Sequence, residues 1–286
     1  MPTDRLRTRN ETQTMTAPIP STRQVRVSPR AVLLCYTGSL AFIAGFVNAV
    51  ALLILAFPVG NLTGVTTQLG MNTANPLLYE GHLLVAILIG FWAGALAAGT
   101  VLGSSEHPTG QHHAVVLALE GMLLLLAAVG VAKAEVHGFV ATLGIEPPVL
   151  QAMFAAAALG MQNGLTSSLR EMAIRTTHFT GTVTDLGLML GRSRQHGLDK
   201  WKLAVLAATL LLFLVGGATG LLFGNWLGGY ALLAPASACV ALAVAYAIRS
   251  RRLEGSASPA EADADAEVES KSLSLAGPEL APVTAG

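Results

Sequence analysis

From Val32 to Phe57 the chain is apolar and carries no Lys, Arg, Asp or Glu. About 20 such residues cross a hydrocarbon core of about 30 Å as a helix. Helices and closed barrels are the structures that satisfy their own backbone polar groups there. The run is longer than the roughly 7–15 apolar residues of a secretory signal, so it reads as a retained membrane helix. Five further runs are similarly long and apolar, with Glu120 and Lys202 their only charged residues: His82–Leu102, Ala114–Ala132, Val149–Leu169, Trp201–Phe223 and Trp226–Ile248. Pro, Gly and polar clusters such as FPVGN, SSEHPTGQHH and GIEPP separate them.

Composition agrees. Of 286 residues, 52% are hydrophobic and 12% charged, with a mean hydropathy of +0.58. Soluble domains carry about 25% charged residues. The charges are also segregated. Arg23, Arg26 and Arg30 precede the first run; Arg170, Arg175, Arg192, Arg194 and Lys200 occupy the fourth connection; Arg249, Arg251 and Arg252 follow the last run. The first, second and fifth connections hold no Lys or Arg, and the third holds Lys133 alone. With six crossings, the basic segments fall on one side. The positive-inside rule makes that side cytoplasmic, with both termini there. Such a chain is expected to be an integral membrane protein, with the lipid bilayer as its first partner. Its basic residues form no stripe, which excludes a nucleic-acid-binding surface.

Residues 1–30 form a basic arm and residues 253–286 an acidic, Ala-rich tail. Neither has an apolar period able to bury a core, so both are expected to be disordered. The membrane domain is expected over residues 31–252.

Within it one phrase is written twice. T-G-x-x-T-x-L-G occurs as Thr63, Gly64, Thr67, Leu69, Gly70 and again as Thr180, Gly181, Thr184, Leu186, Gly187. Each copy follows a run containing G-x-x-N, Gly45 to Asn48 and Gly160 to Asn163. Each precedes a run containing F-x-x-G, Phe91 to Gly94 and Phe213 to Gly216. The order predicts two homologous halves, about 31–133 and 149–252, of three spans each. Three is odd, so the halves enter the membrane from opposite faces. The expected fold is an all-α integral membrane protein with six transmembrane helices, arranged as two inverted three-helix repeats with interrupted helices.

GFVNAV…GNLTGVTTQLG and GMQNGLTSSLREMAIRTTHFTGTVTDLG resemble the YoaK-type family of bacterial inner-membrane proteins, a six-helix domain of unknown function. The resemblance covers roughly residues 31–252 and implies fold and location without an activity. Asn48 stands where that pattern often has Asp, Asn61 where it often has His, and Val65 where Asn often follows the Thr-Gly.

Two readings stand for the polar residues. Thr63-Gly64 and Thr180-Gly181 either contribute to a solute site or, through the threonine hydroxyl and the small glycine, cap and pack helices; Asn61 and Thr67 are candidates for the same solute site. Asn48, Gln162 and Asn163 either contact solute or bond one another across helices. Asp185 contacts a ligand or completes a capping box with Thr182. Arg175 and His178 hold an anion, or Arg175 is an orientation charge. Glu120, in VVLALEGMLLLL, is the one acid well inside a span. An acid at mid-helix is disfavoured by roughly 2.5–3.5 kcal/mol, which turns it toward the bundle interior as a proton or cation site or a hydrogen-bonded structural group. His107, His112 and His113 lack a fourth ligand, so no metal is expected. Cys35 and Cys239 sit in apolar runs as small hydrophobes.

No hydrolase, Walker or dinucleotide motif occurs, so neither an enzyme nor a cofactor is expected. The leading expectation is a secondary transporter or permease of a small solute, monomeric or homo-oligomeric. The alternative is a membrane scaffold or regulator working through its tails.

Overall fold

A computed structural model describes residues 29–75, 80–103, 110–132, 144, 146–168 and 179–256. Among them the regular structure is helical: α1 (Pro29–Leu55), α2 (Leu62–Ala74), α3 (Gly81–Gly103), α4 (Gly110–Ala132), α5 (Pro147–Ser167), α6 (Phe179–His196), α7 (Lys200–Leu227), a 3-10 turn (Gly228–Leu232) and α8 (Leu233–Ser256). Residues 1–28 and 257–286 of the two tails, residues 133–143 of the third connection with Lys133, and Arg175, His178 and His107 lie outside the described residues.

Four stretches are long and apolar enough to cross a membrane: Arg30–Leu55, Gly81–Gly103, Gln111–Gly130 and Lys200–Arg251. The last comprises two helices, α7 and α8, joined through the 3-10 turn. Their outer faces are those of a lipid-facing protein, with Trp226 90% and Trp92 65% exposed beside Leu211 and Leu222.

The expected boundaries shift at three places. The first run ends at Leu55, because Ala56 takes a left-handed φ of 59° ahead of Pro58. The last break lies at Gly228–Leu232 and not around Gly224–Asn225. Gly224 is a packing residue inside α7, where a Cβ would stand 2.9 Å from Leu53 Cδ2; Gly228, with φ of 57°, makes the turn. The fourth run forms α5 but is not among the stretches apolar enough to cross unaided. It is an interior helix that buries Gln151, Gln162, Asn163 and Thr166, and a helix sheathed by others needs no lipid-facing side.

Small residues set the packing. α1 lies along α7 and α3 along α5, while α4 packs against α8 and α5. Glycines let the backbones of the first two pairs touch. A Cβ at Gly45 would overlap the carbonyl of Phe213, and one at Gly216 the carbonyl of Phe42. In the other pair, a Cβ at Gly160 would overlap the carbonyl of Phe91, and one at Gly94 the carbonyl of Ala157. The ridges Gly90, Gly94, Ala98 and Gly216, Gly220, Gly224 are the small-residue stripes that bring membrane helices into close contact. Contacts advance in the same direction along both members of each pair: Gly38 meets Leu212 and Gly220 meets Phe46, while Gly90 meets Met153 and Gly164 meets Ala98. Thus α1 and α7 run parallel, as do α3 and α5. The pair α4 and α8 is antiparallel, since His113 meets Tyr246 and Gly121 meets Ala236.

Candidate functional site

The first copy of the repeated phrase opens α2. Asn61 is its N-cap, its Oδ1 accepting from the Gly64 N–H at 3.1 Å. The expected cap was a threonine hydroxyl. Thr63 and Thr67 instead lie within the helix, where the Thr67 hydroxyl donates to the Thr63 carbonyl at 2.8 Å. Gly64 has a steric reason to be glycine, because a Cβ there would stand 2.9 Å from the Asn61 amide nitrogen. One turn earlier, Asn48 of α1 accepts from the Gly60 N–H at 2.9 Å and so pins the Ala56–Gly60 turn back onto α1.

The second copy opens α6. Thr184 donates to the Thr180 carbonyl at 2.8 Å, as Thr67 does to Thr63. The capping-box reading of Thr182 and Asp185 fails. The helix starts at Phe179, so both residues lie past its N-terminus, with Thr182 buried and Asp185 exposed. Gln162 of α5 is fully buried and donates to the Leu40 carbonyl of α1 at 2.7 Å, tying the two interior helices together.

A cavity of about 470 Å³ lies where these elements meet. Gly60, Asn61, Leu62 and Thr63 line it from the first phrase, and Phe179 and Thr180 from the second. Phe91 and Ala95 of α3 and Asn163, Gly164 and Ser167 of the α5 region complete the wall. Of the sequence-derived residues, the cavity gathers Asn61, Thr63, Asn163 and Thr180. Asn48 acts on it indirectly through Gly60. Gly64, Thr67, Gln162, Gly181 and Asp185 are not in its lining. The polar groups offered are amides and hydroxyls opposed by aromatic and small apolar surface, a lining suited to a small solute. Phe179 and Ser167 had no signal in the sequence, because the tertiary fold brings them to the phrase.

Glu120 occupies a second location. It is fully buried on α4, and neither carboxyl oxygen makes a full hydrogen bond among the described residues. No side chain among the described residues supplies the full hydrogen bond of a structural acid. The Cys239 thiol of α8, a weak donor, stands against this part of α4, and the Tyr36 hydroxyl of α1 is likewise buried without a hydrogen bond. The Tyr36 ring packs on Tyr246 of α8 at 5.1 Å, and Tyr246 stacks on His113 of α4 at 5.7 Å. No group of three His, Cys, Asp or Glu side chains among the described residues could hold a metal ion.

A family model described as protein of unknown function (DUF1275) matches residues 37–245. No curated protein and no solved structure matches the chain.

Proposed function

The chain belongs to the DUF1275 family, the family its YoaK-type motifs resemble, and we propose that it is a non-enzymatic secondary transporter or permease of a small solute. The cavity between the two copies of the phrase carries this reading. A site lined by equivalent segments of two halves is where inverted-repeat transporters hold their solute.

The inverted repeat is part of the proposal, and the packing supports it. Gly45 meets Phe213 as Gly160 meets Phe91, and Gly216 meets Phe42 as Gly94 meets Ala157. Each partner in one contact has the sequence-equivalent residue in the other. Helix directions agree with six crossings: spans one and five parallel, two and four parallel, three and six opposed. Arg30 lies 5.7 Å over the Trp201 ring, placing the starts of α1 and α7 at one end of the bundle. Charge makes that end cytoplasmic in a bacterial inner membrane. In this reading Glu120 couples solute movement to protons.

The test is a solute screen in proteoliposomes, comparing the wild-type protein with Thr63→Trp and Thr180→Trp, which fill the cavity from opposite halves. Uptake above empty liposomes that both substitutions abolish supports the site. Uptake indifferent to both removes it.

A further inference from the structure

Three helices bring basic residues to one end of the bundle. α1 starts with Pro29 and Arg30, α7 starts with Lys200, Trp201 and Lys202, and Arg249 and Arg251 lie in the last turns of α8. Arg30 lies 5.7 Å over the Trp201 ring, and the Tyr36 ring of α1 packs on Tyr246 of α8 at 5.1 Å, so these ends are level with one another. None of these cations pairs with an acid among the described residues. Asp199, the acid next to them in sequence, has its Oδ1 engaged by the Trp201 and Lys202 N–H groups at 3.1 and 3.0 Å.

Between the same three helices runs a groove of about 610 Å³. Cys35, Gly38 and Phe42 of α1, Leu212 of α7, and Ala238 and Leu242 of α8 line it. Cys35 and Leu212 are exposed, so the groove opens on the outer face of the bundle. Its wall along α1 runs from Cys35 to Ile43, about 9–21 Å from the start of that helix at 1.5 Å per residue, within a membrane core about 30 Å thick. The Ser39 hydroxyl donates to the Cys35 carbonyl at 2.8 Å, which leaves an apolar wall. Helical spacing joins this groove to the basic end. Trp201 precedes Leu212 by eleven positions and Arg249 follows Leu242 by seven, and both separations return to the same helix face. Arg249, itself exposed, therefore stands about 10 Å nearer the helix end than Leu242, on the groove's side of α8.

An apolar solute would leave the cations unused, and a soluble anion would leave the groove unused. A lipid with an anionic headgroup uses both. Basic residues at the membrane surface attract such headgroups, and a guanidinium matches phosphate oxygens in a bidentate fork. We propose that the groove between α1, α7 and α8 is a binding site for an anionic glycerophospholipid. Its phosphate meets Arg30 and Arg249, and one acyl chain descends past Leu242 and Leu212 to Phe42. Trp201, beneath Arg30, sits at headgroup level, where amphipathic rings settle. The groove shares no lining residue with the cavity at Thr63 and Thr180, so this site stands or falls apart from the transport reading.

The test is native mass spectrometry of delipidated protein in detergent, titrated with phosphatidylglycerol or with zwitterionic phosphatidylcholine. The wild type should retain phosphatidylglycerol at much the lower lipid concentration. Arg30→Gln with Arg249→Gln should weaken that retention by about fivefold for each charge removed. Ala241→Trp, in the groove lining, should weaken it with every charge in place. Arg192→Gln with Arg194→Gln removes the same charge from α6, outside the lining, and should leave retention unchanged. Equal retention of the two lipids by the wild type overturns the site. So does wild-type retention in the Arg30/Arg249 variant, or an equal loss in the Arg192/Arg194 variant, which would mean general charge attraction. A dimer that Ala241→Trp dissociates without changing lipid retention also overturns it, since the groove would then be an interface between copies. If Ala241→Trp loses the wild-type elution profile, the two arginine pairs decide alone.

Discussion

Gly45 on α1 lies so close to the backbone of Phe213 on α7 that a Cβ would overlap the Phe213 carbonyl oxygen. Gly160 on α5 stands in the same relation to Phe91 on α3. Overpacking a tight contact costs about 1–3 kcal/mol, and here the obstruction is backbone that cannot rotate away. Gly45→Ala and Gly160→Ala should each lower the midpoint of thermal unfolding in detergent, by similar amounts. Gly99→Ala is the control. Nothing lies within 4 Å of a Cβ there, so it should be neutral or stabilising by up to about 1 kcal/mol. A loss confined to one member of the pair would count against equivalent halves.

The turn after α1 gives a second prediction. Ala56 adopts a φ of 59°, a conformation that costs a non-glycine residue about 1 kcal/mol or more. Ala56→Gly should therefore stabilise the protein despite the added chain entropy. Asn48 and Asn61 hold the same turn through side-chain oxygens, on Gly60 and Gly64 respectively. Asn48→Asp and Asn61→Asp keep those acceptors and should unfold near the wild-type temperature. Asn61→Ala loses the cap and should cost about 0.5–2 kcal/mol. Comparing the four melting curves distinguishes an acceptor role from a chemical one. If the Asp variants were as unstable as Asn61→Ala, the acceptor role would be lost.

This turn also shows how far the sequence could be read. Long apolar runs announced α1, α3, α4, α7 and α8, because lipid contact demands apolarity along a whole helix. The two phrases marked where short helices begin and which segments meet, since Thr63 and Thr180 share a cavity. Which residue caps α2 was not legible, because Asn61 and Thr63 are both good capping types and register decides between them. Gly224 and Gly228 look alike in sequence, yet one packs and the other turns. The surroundings of Glu120 were the least accessible, since Cys239 comes from a helix at the far end of the chain.

Glu120 yields a third prediction. With neither oxygen fully hydrogen-bonded, its burial contributes little to stability. Replacing a buried, unsatisfied polar group by an apolar one of similar size is commonly neutral or stabilising. Glu120→Leu and Glu120→Gln should both fold, with Glu120→Leu unfolding at or above the wild-type temperature. Both should lose any proton-coupled uptake. A Glu120→Leu variant destabilised by more than about 2 kcal/mol would assign Glu120 a structural bond instead.

The last prediction concerns the cavity and needs no knowledge of the solute. Thr63 and Thr180 line one space of about 470 Å³ although 117 positions separate them in the sequence. Both are exposed on their helices, so cysteine at either position should leave the fold intact. Cys35 is exposed and Cys239 buried, and both would first be replaced by Ser and Ala respectively. A direct disulfide requires Cα atoms within about 7 Å, so bis-thiol reagents of graded length measure the gap. Thr63→Cys with Thr180→Cys should cross-link with a reagent shorter than about 15 Å, joining two fragments after cleavage between them. The pair Gln68 and Thr180, with Gln68 on α2 outside the cavity lining, is the control and should cross-link less efficiently. If the Thr63–Thr180 pair resists every short reagent in folded protein, the two phrases do not form one site. The transport reading would then lose the observation that carries it.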